Sequence, residues 1–212
     1  MNILHAVVGP VATNVYVLWV DGSREAIAID TATPSLAWIT AQLAERDLAL
    51  RLIVSTHGHW DHIGDNTAVA EHTGASIAVH AADRHRLEHP EPLWAPFEIV
   101  PSVPAVELEE GGQVRFGDLR LDVLHTPGHT EGSVCLFAAD DGLLLSGDTL
   151  FAGGWGRVDL PGGDPAAMVA SLDRLRALDD QVRVLPGHGA PTTMARERPW
   201  LDLVAARQTL EL

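Results

Sequence analysis

Ser55–Asp65 reads STHGHWDHIGD. His57, His59, Asp61 and His62 fall within six residues. Imidazole and carboxylate donors at this density suit a divalent zinc, iron or manganese ion at a hydrolytic centre. The preceding Leu52-Ile53-Val54 is apolar, with two β-branched residues, and predicts a buried strand. Gly58 and Gly64 then allow the backbone to turn sharply. The stretch reads as a strand whose end fans several ligands into one cavity.

Upstream, Ile3–Val8, Val15–Val20 and Ala26–Ile29 predict three short strands, with Asp21-Gly22 turning between the last two. Asp30-Thr31 closes the third. Thr33 then predicts an N-cap and Pro34 a first helical position, with Leu36, Ile39 and Leu43 on one helix face to about Arg46. Downstream, Asn66–His72 predicts a short helix, Ser76–His80 a strand and Ala81–Leu87 a further helical turn or two. Residues 88–104 carry Pro90, Pro92, Pro96, Pro101 and Pro104, with Trp94 and Phe97 among them. This segment reads either as a connector or as a wall of the substrate pocket, since long irregular loops are often functional.

Strand patterns resume at Gln113–Phe116, Leu119–His125, Val134–Phe137 and Leu143–Leu145. Asp164 predicts the cap of a helix that opens with Pro165 and buries Val169, Leu172 and Leu175. Val182–Leu185 predicts a last strand. The two halves, about 1–87 and 105–190, repeat one plan: strands closing on Asp-Thr, a Pro-started helix, a short strand and a histidine-bearing Gly loop. The expectation is a single α/β domain over 1–212, with two β-sheets packed face to face and helices outside.

The composition limits the function classes. Of 212 residues 46% are hydrophobic, which fits a globular fold with a real core. No apolar run approaches the ~18 residues of a membrane span, and no secretory signal pattern is visible at the N-terminus. Cys135 is the sole cysteine, so no internal disulfide exists. That fits a reducing cytoplasm, the expected location. The net charge is −15 and every basic residue is arginine. Such a chain repels phosphate backbones and anionic membranes, so neither is an expected partner.

Three further segments carry site chemistry at strand ends: Thr126–Thr130 with His129, Ser146–Thr149 with Asp148, and Pro186–Gly189 with His188. The other histidines, His5, His72, His80, His85, His89 and His125, read as ordinary surface or core residues. Five histidines and two aspartates on turn loops after strands are harder to treat that way.

Together, HGHWDH at His57–His62 with His129, Asp148 and His188 resembles the HxHxDH signature and later ligands of the metallo-β-lactamase superfamily. The resemblance covers nearly the whole chain and implies an αββα sandwich. It implies that His57, His59 and His129 hold one metal, that Asp61, His62 and His188 hold a second, and that Asp148 bridges them. The metals expected are two divalent ions, zinc first, with iron or manganese as alternatives. True β-lactamases of this fold often use cysteine where this chain has Asp148, which disfavours antibiotic hydrolysis. Gly147–Asp164, GDTLFAGGWGRVDLPGGD, is similar to the short single-domain glyoxalase II-like thioesterases. Persulfide dioxygenases share a related Gly-Arg-x-Asp stretch.

The resemblance therefore implies a small acyl-thiol substrate. A metal-bridging hydroxide, oriented by Asp61 and Asp148, would attack its carbonyl. A thiolate leaves without a strong general acid, which suits a site made of metal ligands alone. Larger glyoxalase II enzymes grip glutathione with a C-terminal helical domain and lysines, and this chain has no lysine. Arg157 is the candidate for pairing a substrate carboxylate, or else it pairs with Asp159. Asp30 is the candidate for orienting a ligand or the His57 loop, or else it is a turn residue. The competing functions are a mononuclear iron persulfide dioxygenase using His57, His129 and Asp148, a lactonase, and a non-enzymatic metal-binding module.

Overall fold

The computed structural model describes residues 1–210. The first half forms β1 (Asn2–Val8), β2 (Thr13–Trp19), β3 (Glu25–Ile29), α1 (Leu36–Arg46), β4 (Ala49–Val54), α2 (Trp60–Ile63), α3 (Asn66–Thr73), β5 (Ser76–His80), α4 (Arg84–Glu88) and β6 (Val106–Leu108). The second half forms β7 (Gln113–Phe116), β8 (Leu119–His125), β9 (Val134–Ala138) and β10 (Leu143–Gly147). A small hairpin, β11 (Leu150–Phe151) and β12 (Gly154–Trp155), follows. The chain closes with α5 (Pro165–Leu175), β13 (Arg183–Pro186), β14 (Thr192–Thr193) and α6 (Met194–Arg207).

Two six-stranded mixed sheets result, ordered β1-β2-β3-β4-β5-β6 and β14-β13-β10-β9-β8-β7. In the first, β1, β2 and β3 are antiparallel neighbours, and α1 crosses over to β4, parallel to β3. In the second, β8, β9 and β10 are antiparallel neighbours, and α5 crosses over to β13, parallel to β10. Both halves thus trace one path.

The central strands are buried on both faces, so they read as continuous apolar runs. In β2, Tyr16 and Leu18 face the second sheet, against Leu121, Leu136 and Leu145. Val15 and Val17 face outward, onto Ile39 of α1 and Val69 of α3. In β10, Leu143 and Leu145 point inward, while Leu144 packs against Met168 and Leu172 of α5. This is the αββα sandwich of two mixed sheets flanked by helices. No helix among the described residues is long and apolar enough to cross a membrane.

Several elements differ from expectation. The short strands β6, β11, β12 and β14 carry too few residues to show an apolar pattern, and Asp61 and His62 lie in helix α2, not on a turn. Helix α1 starts at Leu36 with Ser35 at its cap position, so Thr33 is not the N-cap and Pro34 lies outside the helix. The reason is long-range: Asp65 Oδ2 accepts the N–H groups of Ser35 and Leu36 at 2.6 and 2.9 Å, capping the helix from another element. Ala81–Leu87 divides into a 3-10 turn, Ala81–Asp83, and α4. Helix α6 was not anticipated, because only Met194, Glu197, Leu201 and Val204 are buried and Pro199 lies inside it.

Candidate metal centre

The C-terminal ends of β3, β4, β8, β10 and β13 deliver Asp30, the His57 loop, the His129 loop, Asp148 and His188 to one edge of the sandwich. Three triads there could hold an ion: His57, His59 and His129; His57, His62 and Asp148; and Asp61, His62 and His188. In each, the ligand atoms lie within 4.8 Å of one another. All seven residues named from the sequence therefore meet in one cluster. Asp148 spans it: Oδ1 lies 3.4 Å from His62 Nε2, and Oδ2 lies 3.4 Å from His129 Nε2 and 3.5 Å from His188 Nε2. His188 Nε2 is 3.1 Å from Asp61 Oδ2 and 3.2 Å from His62 Nε2.

The surroundings decide which ring nitrogens face the cluster. A carbonyl only accepts, so His129 Nδ1–H donates to Arg157 O at 2.7 Å, and His188 Nδ1–H donates to Val11 O at 3.1 Å. His62 Nδ1 lies 2.8 Å from Asp30 Oδ2. Thr56 Oγ1 donates to the same carboxylate at 2.9 Å, which leaves it to accept from His57 Nδ1 at 3.1 Å. The Nε2 lone pairs of His57 and His129 thus point inward. Buried His57 Nε2, His59 Nε2 and Asp148 Oδ1 have no hydrogen-bond partner. His59 Nδ1 faces His129 Nε2 at 2.8 Å, a distance two bare lone pairs do not tolerate without a shared proton or cation. This donor set fits divalent ions.

Electrostatics agree with that reading. Burial, then the neighbouring imidazoles, holds His57 well below the ordinary histidine range. Burial and His129 push His59 down to about 3. For His62, burial works downward, but the carboxylates of Asp148, Asp61 and Asp30 outweigh it and raise the pKa well above 6.5. Burial would raise Asp148, but His62 and the other imidazoles hold it well below the usual carboxylate range.

Asp30 touches both arms of the site. Its Oδ1 accepts Thr56 N–H at 2.8 Å, and its Oδ2 faces Thr56 and His62. It adopts φ 58, a left-handed conformation that aspartate tolerates better than bulky residues. Gly187 is needed for space, since a Cβ there would lie 2.2 Å from Asp148 Oδ1 and 2.8 Å from His62 Cε1.

Several supporting residues were not found from the sequence. Fully buried Asp83 accepts Gly58 N–H at 2.7 Å, Gly132 N–H at 2.8 Å and Thr130 Oγ1 at 2.7 Å. It thereby ties the His57 loop to the His129 loop. Asn14 Nδ2 and Tyr16 Oη both donate to Pro186 O, at 2.8 and 2.7 Å, and so seat the His188 loop. Buried Glu197 accepts Gly153 N–H at 2.7 Å and Trp200 Nε1–H at 2.6 Å, which anchors the β11–β12 hairpin to α6. No local pattern marks any of these; each acts on a segment distant in the chain.

A cavity of about 350 Å³ opens over the cluster. Leu93 and Trp94 line it, and Phe97 packs edge-on against Trp60, so the Pro-rich segment walls the pocket. Arg157 also lines it. Its guanidinium forms a two-pronged pair with Asp159, at 2.7 and 2.8 Å, and lies 5.4 Å from the centre of the Trp94 ring. The plainer of the two readings of Arg157 thus describes its contacts.

The family model described as the metallo-beta-lactamase superfamily matches residues 8–188. A hydroxyacylglutathione hydrolase of Thermosynechococcus vestitus is 39% identical over 163 residues, covering 77% of this chain and 58% of that protein. The crystal structure of BLEG-1, described as a B3 metallo-beta-lactamase, is 33% identical at a TM-score of 0.84, covering 94% of this chain and 99% of that one. The structure of TTHA1623 in a di-iron-bound form is 33% identical at a TM-score of 0.82, covering 99% of this chain and all of that one.

Proposed function

The chain belongs to the metallo-beta-lactamase superfamily, and we propose that it is a thioester hydrolase of the hydroxyacylglutathione hydrolase kind that uses two divalent ions. The observation that carries this reading is Asp148, whose two carboxylate oxygens reach both outer triads. His57, His59 and His129 would hold one ion and Asp61, His62 and His188 the other. When bound, two such ions supply Lewis acidity and a hydroxide near neutral pH. The di-iron form of TTHA1623 supports the count of two in a similar chain; zinc, iron and manganese all suit these donors.

The protein's own groups do the rest. Asp61 and Asp148 orient the attacking water. Asp30 and Thr56 hold His62 and His57 in the tautomers that present Nε2. Among the described lining residues beyond the ligand set, only Arg157, Trp60 and Trp94 carry side-chain N–H groups, and none is an acid strong enough to protonate a poor leaving group, which suits a thiolate better than an amine.

Purified, metal-replete protein should hydrolyse S-D-lactoylglutathione or another acyl-thiol, and His59→Ala should abolish it. Inactivity across a panel of acyl-thiols would end this reading. The neighbour described as a B3 metallo-beta-lactamase makes a chromogenic β-lactam the necessary control. A lactone belongs in the same panel. Metal analysis by mass spectrometry should give a ratio near two. One iron per chain, with oxygen uptake on glutathione persulfide, would instead establish the dioxygenase.

Metal uptake near pH 7 should release protons. His62 is raised well above 6.5, so the metal-free protein carries its proton at neutrality. An ion needs the bare Nε2 and displaces that proton. Metal affinity should therefore rise with pH through the neutral range. Calorimetric zinc titrations in buffers of different ionisation enthalpy check this; a heat independent of buffer would contradict it.

A further inference from the structure

The walls of the cavity are apolar on both sides of the cluster. Val11 and Phe151 stand beside His188: Val11 through its carbonyl contact, Phe151 edge-on with ring centres 6.1 Å apart. Leu93, Trp94 and Leu160 line the same cavity, as does Arg157, whose carbonyl holds His129. Trp94 is 53% exposed, and Val11 and Leu93 are 38% and 37% exposed. Apolar side chains left open around a reactive centre mark a surface that a ligand covers.

Charge points the same way. Among the described residues Arg157 is the one arginine lining the cavity, and Asp159 engages it in a two-pronged pair. An incoming carboxylate would meet a guanidinium whose Nε and Nη2 edge and charge Asp159 already engages, in a chain of net charge −15 with no lysine. Among the described lining residues a glutathione moiety would find one already paired guanidinium for its two carboxylates.

We propose that the cleft of Val11, Leu93, Trp94, Phe151 and Leu160 is an acyl pocket selecting uncharged, medium-chain acyl thioesters of small neutral thiols over glutathione thioesters. The inference rests on the thioester reading and names its substrate class. In the reaction water forms the new acyl C–O bond and the C–S bond breaks. The thiol keeps one proton of the water, and the carboxylic acid releases the other.

The test uses metal-replete protein and N-acetylcysteamine thioesters from acetyl to octanoyl, with S-D-lactoylglutathione for comparison. Burial of each methylene should raise kcat/KM about fourfold until the cavity is filled. Trp94→Ala should flatten that dependence to less than about twofold per methylene, and because Trp94 is half-exposed its removal leaves the core intact. A flat series in the wild-type chain, or a preference for lactoylglutathione, overturns the proposal. Binding of the matching S-alkyl thioethers, which cannot be hydrolysed, is followed by tryptophan fluorescence. Affinity should rise with alkyl length by the same factor. If no thioester is cleaved but the thioethers bind in this order, the hydrolase reading fails and the apolar pocket stands. If thioesters are cleaved without chain-length preference, the pocket fails and the hydrolase stands.

Discussion

Asp148→Asn is expected to lower thioester hydrolysis on the order of a thousandfold and to reduce the bound metal below two per chain. The carboxylate reaches His62 through one oxygen and His129 and His188 through the other. Asparagine keeps the shape but removes the charge and replaces one acceptor with an N–H₂ donor. That donor would point at an imidazole lone pair or at a cation. Removing one group that stabilises charge at a reacting centre costs about 3–4 kcal/mol, which is the scale of the predicted loss. Metal content and kcat/KM measured on one preparation check it. A variant that keeps two ions and more than about a tenth of its activity would remove Asp148 from its proposed role.

Asp83→Ala is expected to cost about 3–5 kcal/mol of stability, although Asp83 is not among the proposed ligands. The side chain is fully buried and accepts three hydrogen bonds, from Gly58, Thr130 and Gly132. Alanine leaves those donors unpaired, at about 1–3 kcal/mol each before relaxation or water entry. It also removes the carboxylate beside the buried Arg86 guanidinium, 3.6 Å away. Urea unfolding of the metal-free protein measures the effect; a change under about 1 kcal/mol would show that the loops hold without this tie. Asp83→Asn, which retains one acceptor, should fall between the two.

The contrast between these two residues shows what was legible in the chain. Asp148 follows an apolar strand on a Gly-flanked turn, and its type and place mark it as a ligand. Asp83 sits in a 3-10 turn with nothing local to distinguish it. For Arg157 the sequence offered two partners, a substrate carboxylate or Asp159, and only side-chain placement shows it paired with Asp159.

The sequence by itself determined the longer strands, the identity of the seven proposed ligands and the two-sheet plan; the short β6, β11, β12 and β14 escaped it. These follow from local facts: apolar runs make buried strands, glycine permits turns, and imidazoles spaced two to five residues apart can share an ion. Only the tertiary structure decided which ring nitrogens face inward, how Asp148 spans the triads and which walls the cavity has. It also decided that Asp65 caps α1, that Asp83 joins the two ligand loops and that Tyr16 seats Pro186. Such contacts join segments 29 to 170 positions apart. A hydrogen bond is made by distance and angle, and for partners so far apart those exist only once the two sheets have packed.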